Sequence, residues 1–303
     1  MDKKQIVSEI SESVIAALPK LVNPLKEIPK PILKETGKYD EEQFGLLLSD
    51  FQVGHRTKTY DNKVFNVRMD ILTQKVVKIA HLHRKSHPVK VLNIFLLGDL
   101  VQNERIGYLI SLDELEGVIK QQVFEWVIPT LSKAISILAQ DFEKINLFCV
   151  RGNHGGQGRF AATTTNWDDV VYHFLEQYFK STARIKFAIA DNFYLFAEIY
   201  KWKFLLVHGD QIPFHMTLPY YGLTTRAMRW KGSIGAYDFL AVGHFHSFAH
   251  LCFNDLEILM NGAIVSDDDW VKKVIGLDGT CCQTLFSVHP RKGLAFVRKI
   301  GLK

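Results

Sequence analysis

The chain has 303 residues, 47% hydrophobic and 23% charged, with a formal net charge of +5 and a sequence pI near 8.8. That is the composition of an ordinary globular protein, long enough for one large domain or two small ones, and no apolar run approaches the length that spans a bilayer. The mild positive charge is compatible with a polyanionic ligand without establishing one.

The opening Met-Asp-Lys-Lys-Gln lacks the apolar core of a signal peptide. Cys149, Cys252, Cys281 and Cys282 form no Cys-x-x-Cys pair, so neither a zinc knuckle nor a disulfide framework is indicated. A cytoplasmic setting with reduced thiols in buried strands is expected, with no membrane partner.

Residues 3–18 read as an amphipathic helix, with Ile6, Ile10, Val14, Ile15 and Leu18 at roughly helical spacing. Pro19, Pro24, Pro29 and Pro31 then break helical continuity, so 19–40 is a Pro/Lys-rich connector. Residues 1–40 form an arm that either packs on the main domain or joins a second copy or a partner protein.

The main domain is expected over 41–303. Strands at about 44–49, 91–97 and 145–150 alternate with helical patterns near 64–86 and 112–140, as in βαβ units. A further helix covers 167–180, with Asn166 or Asp168 as its cap. The pattern then changes to strands at 193–199, 202–207, 238–242, 248–253, 256–260, 281–288 and 293–300. His289-Pro-Arg-Lys-Gly293 makes a hairpin connection. The fold class is α/β, with two packed sheets flanked by helices. His81, His83 and His87 end the second helix, where they suit its negative pole. Asp267-Asp-Asp269 reads as a solvated turn.

Five blocks each end an apolar run with a potential metal ligand or catalytic group. They are Gly45-Leu-Leu-Leu-Ser-Asp50-Phe-Gln52, Leu96-Leu-Gly-Asp99, Val150-Arg-Gly-Asn153-His154, Leu205-Leu-Val-His208-Gly and Val242-Gly-His244-Phe-His246. Strands that deliver Asp, Asn and His from their C-terminal ends place hard oxygens and imidazoles where α/β folds bind ligands. Two carboxylates, an amide and three imidazoles can hold two divalent ions, and such a pair suits phosphate-ester cleavage. Taken singly, a Gly-Asp or Gly-Asn-His is usually a turn; the ordered series is specific.

The series resembles the calcineurin-like metallophosphoesterases over roughly residues 44–265. The resemblance implies a four-layer α/β/β/α sandwich with a dinuclear centre of Mn, Fe, Zn or Mg, Mn being preferred. It implies that Asp50 and His246 serve one metal, that Asn153, His208 and His244 serve the other, that Asp99 bridges them, and that His154 is catalytic. It also implies hydrolysis by metal-activated hydroxide.

The family's first motif is Asp-x-His, but Gln52 occupies the His position here, and its carbonyl oxygen is a harder, weaker donor that favours Mn²⁺ or Mg²⁺ over Zn²⁺. His55 either compensates, contacts substrate or is simply exposed. Gln102 and Asn103 stand where the Ser/Thr protein phosphatases carry Asp and Arg, which argues against that branch. The stretches Thr163-Thr-Thr-Asn-Trp167, Asn261-Gly-Ala and Val288-His-Pro-Arg-Lys-Gly293 are similar to phage-type proteins near the SbcD-like nuclease branch.

Substrate contacts are expected from His55, Arg56, Arg159 and Arg229. Lys58, Arg226 and Lys231 add charge, and Tyr220, Tyr221 and Trp230 interleave aromatics, a pattern that suits a nucleic-acid strand or, equally, a helix with a solvated basic face. The leading expectation is a dinuclear phosphodiesterase acting on DNA or RNA. An enzyme for small phosphoesters or cyclic nucleotides and a non-catalytic scaffold are the alternatives.

Overall fold

The structure is a computed structural model that describes residues 3–33, 37–104, 114–156, 166–213, 219–266 and 281–303, with the backbone alone for 3–11. Leu46 and Leu47 show how the layers arise. Successive side chains on a strand point to opposite faces, and here both faces are covered. That is why the central strands read as unbroken apolar runs instead of alternating ones.

One sheet has the order β11-β10-β1-β2-β3-β4. Its parallel core is β1 (Gln43–Leu48), β2 (Val91–Leu96), β3 (Lys144–Cys149) and β4 (Ile185–Ile189), and the hairpin β10 (Cys282–His289) and β11 (Gly293–Gly301) adds antiparallel to β1. The second sheet has the order β5-β6-β7-β9-β8, built from Tyr194–Ile199, Trp202–Val207, Phe239–Val242, Leu256–Met260 and Ala249–Phe253 in that spatial sequence. Its three central strands are parallel and its two edges antiparallel.

Three apolar clusters separate four layers. The first holds Leu46, Ile94 and Leu147 of the first sheet against α2 (Asn62–His83), α3 (Ile128–Leu138) and α4 (Trp167–Phe179). The second lies between the sheets, where Phe95, Phe204 and Phe286 meet with ring centroids 5.5–5.8 Å apart. Such aromatic pairs add about 0.5–1.5 kcal/mol each beyond the area they bury. The third holds Leu205, Leu240 and Ile258 against α5 (Pro219–Ser233), through Leu223, Ala227 and Trp230. The expected α/β/β/α sandwich is the fold observed.

Several boundaries differ from expectation. α1 runs from Lys3 to Leu21 with Pro19 inside it. A proline in a last turn forfeits one hydrogen bond, and only a few residues follow it. The expected helix over 112–140 begins later, and Gln121–Val127 forms a π-helical turn leading into α3. β4 was not anticipated as an element, and α5 was expected only as one of two readings of its basic and aromatic residues.

The connector after α1 lies along α4 and β4. Leu18 and Val22 are buried, Leu25 N–H donates to Tyr178 O, Ile28 N–H donates to Thr182 Oγ1, and Arg184 donates to the carbonyls of Ile28 and Pro29. His83 and His87 do more than complement a helix end: both face the buried Glu42 carboxylate, at 2.8 and 3.5 Å.

Candidate metal centre

The parallel strands of both sheets end on the same side of the sandwich, and the five loops that follow them converge there. Asp50, Asp99 and Asn153 leave β1, β2 and β3 of the first sheet; His208 leaves β6, and His244 and His246 leave β7 of the second. Asp50, Gln52, Asp99, His208 and His246 are each no more than 3% exposed. Asn153, His154 and His244 are half-buried at the mouth.

The backbone is strained to aim these side chains. Asp50, Gln52, Asp99, His244 and His246 all have φ between 46° and 68°. Non-glycine residues rarely occupy the left-handed region, and clusters of them mark functional loops. Gly98, at φ 87°, and Gly152 cross at the centre, where a Cβ on either would collide with the other loop.

Hydrogen bonding around His208 shows what the centre needs. His208 Nδ1 lies 2.7 Å from Leu97 O, so that nitrogen carries a proton and donates it. The other nitrogen, Nε2, points at Asp99 Oδ2 (3.0 Å), Asn153 Oδ1 (3.0 Å) and His244 Nδ1 (3.3 Å). In the neutral ring that sets a lone pair against oxygen lone pairs. A cation between them, either a proton or a metal ion, removes the repulsion. Burial disfavours a charged His208, but the Asp99 carboxylate outweighs it and lifts the ring to about 10. Asp99 is itself held well below the carboxylate range: burial opposes its charge, but His208 and His154 overcome that. His244 goes the other way, pushed down to about 3 by burial and by the charge on His208.

Donor atoms of Asp99, His208 and His244 all lie within 4.8 Å of one another. Beside them, Asp50 Oδ1 is 3.5 Å from His246 Nε2, while Asp50 accepts His244 N–H at 3.1 Å and the Ser49 hydroxyl at 2.5 Å. Gln52 Nε2 is 3.2 Å from His246 Nε2 and 3.4 Å from His154 Nε2, and Gln52 Oε1 is buried with no hydrogen-bond partner. A half-turn of that amide would offer Oε1 to a cation instead. This donor set, hard oxygens with imidazoles, fits divalent transition metals.

The His154 ring stands at the opening, 14% exposed, with Nε2 3.9 Å from Asp99 Oδ2. Its backbone is clamped on both sides. Its N–H donates to Asp99 Oδ1 at 2.7 Å, and its carbonyl accepts from Asn103 Nδ2 at 2.9 Å.

Asp168 was read only as one of two possible caps. The cap is Asn166, whose Oδ1 accepts Asp168 N–H and whose Nδ2 donates to Gly152 O. Asp168, fully buried, instead accepts three backbone N–H groups: Asp99 at 3.0 Å, Gly152 at 2.9 Å and Leu100 at 3.1 Å. It ties the Gly-Asp loop to the Gly-Asn-His loop. Burial and the Asp99 charge push it up to about 7 against the Gly152 and Leu100 amides and the charge on His208.

Asn103, noted in the sequence only as the place of a missing arginine, binds the His154 loop, and Gln122 of the π-helical turn accepts its N–H at 2.8 Å. π-helical turns recur at functional sites. Behind Asp50, Ser49, Asn261, Gln283 and Thr284 form a buried network in which Asn261 donates to Ser49 Oγ and Gln283 Oε1 and accepts from the Thr284 hydroxyl.

The residues expected to touch substrate are scattered. His55 is 5% exposed, so it is no surface residue, and its Nε2 sits 3.8 Å from Glu114 Oε2. Arg56 is exposed, with Glu116 at 3.9 Å. Arg159 lies outside the described residues, as does the Asp267-Asp-Asp269 turn. Arg229 is exposed on α5, ten residues beyond its first residue. That helix runs back from the site end of β6 toward the start of β7, so Arg229 is carried about 15 Å along it. Tyr220 and Tyr221 occupy its first turn, 38% and 65% exposed, while Trp230 belongs to the core.

No protein-family model matches the chain, and neither does any curated protein. Solved structures of similar shape include an archaeal phosphodiesterase (16% identity, covering 85% of this chain and 98% of that one, TM-score 0.38). Another is Vacuolar Protein Sorting 29 from Cryptosporidium parvum (13% identity, 86% and 100% covered, TM-score 0.41). A third is a conserved uncharacterized protein from Streptococcus pneumoniae described as a predicted phosphoesterase (12% identity, 86% and 97% covered, TM-score 0.37).

Proposed function

We propose that this protein is a two-metal phosphodiesterase that hydrolyses nucleic-acid phosphodiester bonds, with Mn²⁺ as the working ion. The observation that carries the reading is the convergence of Asp50, Asp99, Asn153, His208, His244 and His246 from five strand ends of two sheets, beside a solvent-facing His154. Asp50, His246 and the Gln52 amide would hold one ion; Asn153, His208 and His244 the other; Asp99 lies between. When bound, such a pair lowers the pKa of water and offsets charge developing on phosphoryl oxygens.

The chain's own residues do the rest. Leu97 O holds His208 in one tautomer, so its Nε2 keeps a fixed direction. Asp99 and Asn103 hold the His154 backbone and so fix where its side chain leaves the loop, and an imidazole at that point can protonate a departing alkoxide. Exposed Arg56 and the tyrosines at the start of α5 favour an extended strand, through charge and base stacking. The preference for Mn²⁺ follows from Gln52, whose hard oxygen replaces an imidazole.

The test is hydrolysis of single- and double-stranded DNA, RNA and bis-p-nitrophenyl phosphate with Mn²⁺, by wild type and by His154→Ala. Nucleic-acid cleavage that falls about 10²–10⁴-fold in the variant, with metal content unchanged, supports the reading. Turnover of the small ester alone would redirect it to small phosphodiesters. Full metal loading without any turnover would make this a binding scaffold.

A further inference from the structure

A second cluster of residue types that can ligate a metal lies away from the first, on the outer edge of the second sheet. β8 is the edge strand and pairs antiparallel with β9. Cys252 sits directly opposite Glu257 in that ladder, and His250, two residues before Cys252, shares its face. The three donor atoms converge: His250 Nε2 is 2.7 Å from Glu257 Oε2, and Cys252 Sγ is 3.8 Å from that oxygen and 3.9 Å from the imidazole nitrogen.

We propose that His250, Cys252 and Glu257 bind a zinc ion, independently of the phosphodiesterase reading. Zinc takes N, S and O donors at about 2.0–2.3 Å in tetrahedral array, which sets donor-to-donor edges of about 3.3–3.6 Å. The three separations in the structure bracket that span. Loading requires the His250–Glu257 pair to open by roughly 0.6 Å and the thiol to approach by about 0.3 Å. Cys252 and His250 are exposed and Glu257 half-buried, so these are side-chain adjustments.

The chemistry selects the metal. A thiolate with an imidazole and one carboxylate is a borderline-soft set that suits zinc, not the hard Mn²⁺ or Mg²⁺ of an oxygen-rich site. Without a metal, partial burial and the Glu257 carboxylate keep the Cys252 thiol above its ordinary value. A divalent cation reverses that balance: the thiol proton leaves to solvent, and the ion offsets both anions. Three protein donors leave a fourth position for water. A zinc ion there would pin the β8–β9 hairpin, which leaves the His246 loop after two residues.

Cobalt titration of the tag-free full-length protein tests the proposal, because a thiolate ligand gives a charge-transfer absorption that oxygen and imidazole ligands do not. The main centre contains no cysteine, and Cys149, Cys281 and Cys282 are buried. A charge-transfer band is expected in wild type and in Asp99→Ala, absent in Cys252→Ser, weakened about tenfold or more in apparent affinity by His250→Ala, and bleached by excess Zn²⁺. A wild-type protein that binds Co²⁺ without the band, or a band that survives Cys252→Ser, overturns the proposal. His250 and Cys252 are on the surface, so circular dichroism of Cys252→Ser and His250→Ala should match wild type.

Discussion

Asp168→Ala is the sharpest perturbation the fold offers. The wild-type carboxylate satisfies three buried backbone N–H groups, on Asp99, Leu100 and Gly152. Alanine leaves all three without that acceptor. Each stripped donor costs about 1–3 kcal/mol, and water entering the vacated space recovers part of it, so about 3–5 kcal/mol is expected. In a chain of this size 1 kcal/mol moves the Tm by about 2 °C, giving a drop of roughly 6–10 °C in the metal-free protein. The same change releases the loops that carry Asp99 and Asn153, so metal affinity should fall about 10–100-fold, as when the groups orienting metal ligands are removed. Asp168→Asn keeps one acceptor oxygen but turns an NH₂ toward a donor, and should fall between wild type and alanine on both scales. Differential scanning calorimetry without metal and metal titration by calorimetry read the two effects. A Tm within about 2 °C of wild type with unchanged metal affinity would refute the reasoning.

Three further expectations concern metal and pH. The His208 pKa is raised to about 10, so in the metal-free protein its stabilisation is fully present below the ordinary value of 6.5 and is lost as pH climbs through about 10; because a metal needs the neutral ring, binding near neutral pH should release a proton and tighten up to tenfold per pH unit, and calorimetry in buffers of different ionisation enthalpy showing no proton release would contradict this. Gln52→His restores an imidazole and should tighten binding at the first metal position about tenfold, more for Zn²⁺ than for Mn²⁺; equal or weaker affinity would show that the backbone there cannot aim a ring. Burial opposes charge on Glu42, yet its hydrogen bond with His83 and the neighbouring His87 hold its pKa below 4.5, so its stabilisation is present above that pH and is lost as pH falls further; Glu42→Gln should cost about 1–3 kcal/mol near neutral pH and flatten the acid-side decline in Tm, and parallel acid curves for variant and wild type would argue against it.

The central strands were legible because they are covered on both faces: Gly45-Leu-Leu-Leu and Leu205-Leu-Val are continuous apolar runs that stop at a ligand. β4 escaped notice because it is an edge strand, largely half-exposed, with Lys186 and Arg184 diluting its apolar signal. α5 hid behind Pro219, Gly222 and Gly232 and a row of cations. Its helical period survives only in Leu223, Ala227 and Trp230.

Residues that present donors to the centre stood out by type and order. Those that hold the donors did not. Asp168 acts through a carboxylate aimed at backbone amides from another loop, and an acid in a first helical turn is normally read as a partner for the helix's own end. Left-handed φ at Gln52 and His246 is likewise invisible to hydrophobic periodicity. The one cue was position: the helix carrying Asp168 opens soon after Gly152-Asn-His154, so its first turn had to lie near that loop.

The first sheet is closed by the last strands of the chain. β1 lies between β2 and β10, and β10 begins at Cys282, more than 230 residues after β1 ends. During synthesis β1 therefore waits with one row of peptide groups unpaired, and an open apolar strand edge is a template for mispairing. Gln283, which accepts Ser49 N–H and donates to Ser49 O beside Asp50, arrives on that same late strand. A nascent chain halted before residue 282 would thus carry every proposed metal ligand and still lack the strand that seals β1, making ribosome-bound intermediates of this protein natural clients for chaperones that shield exposed sheet edges.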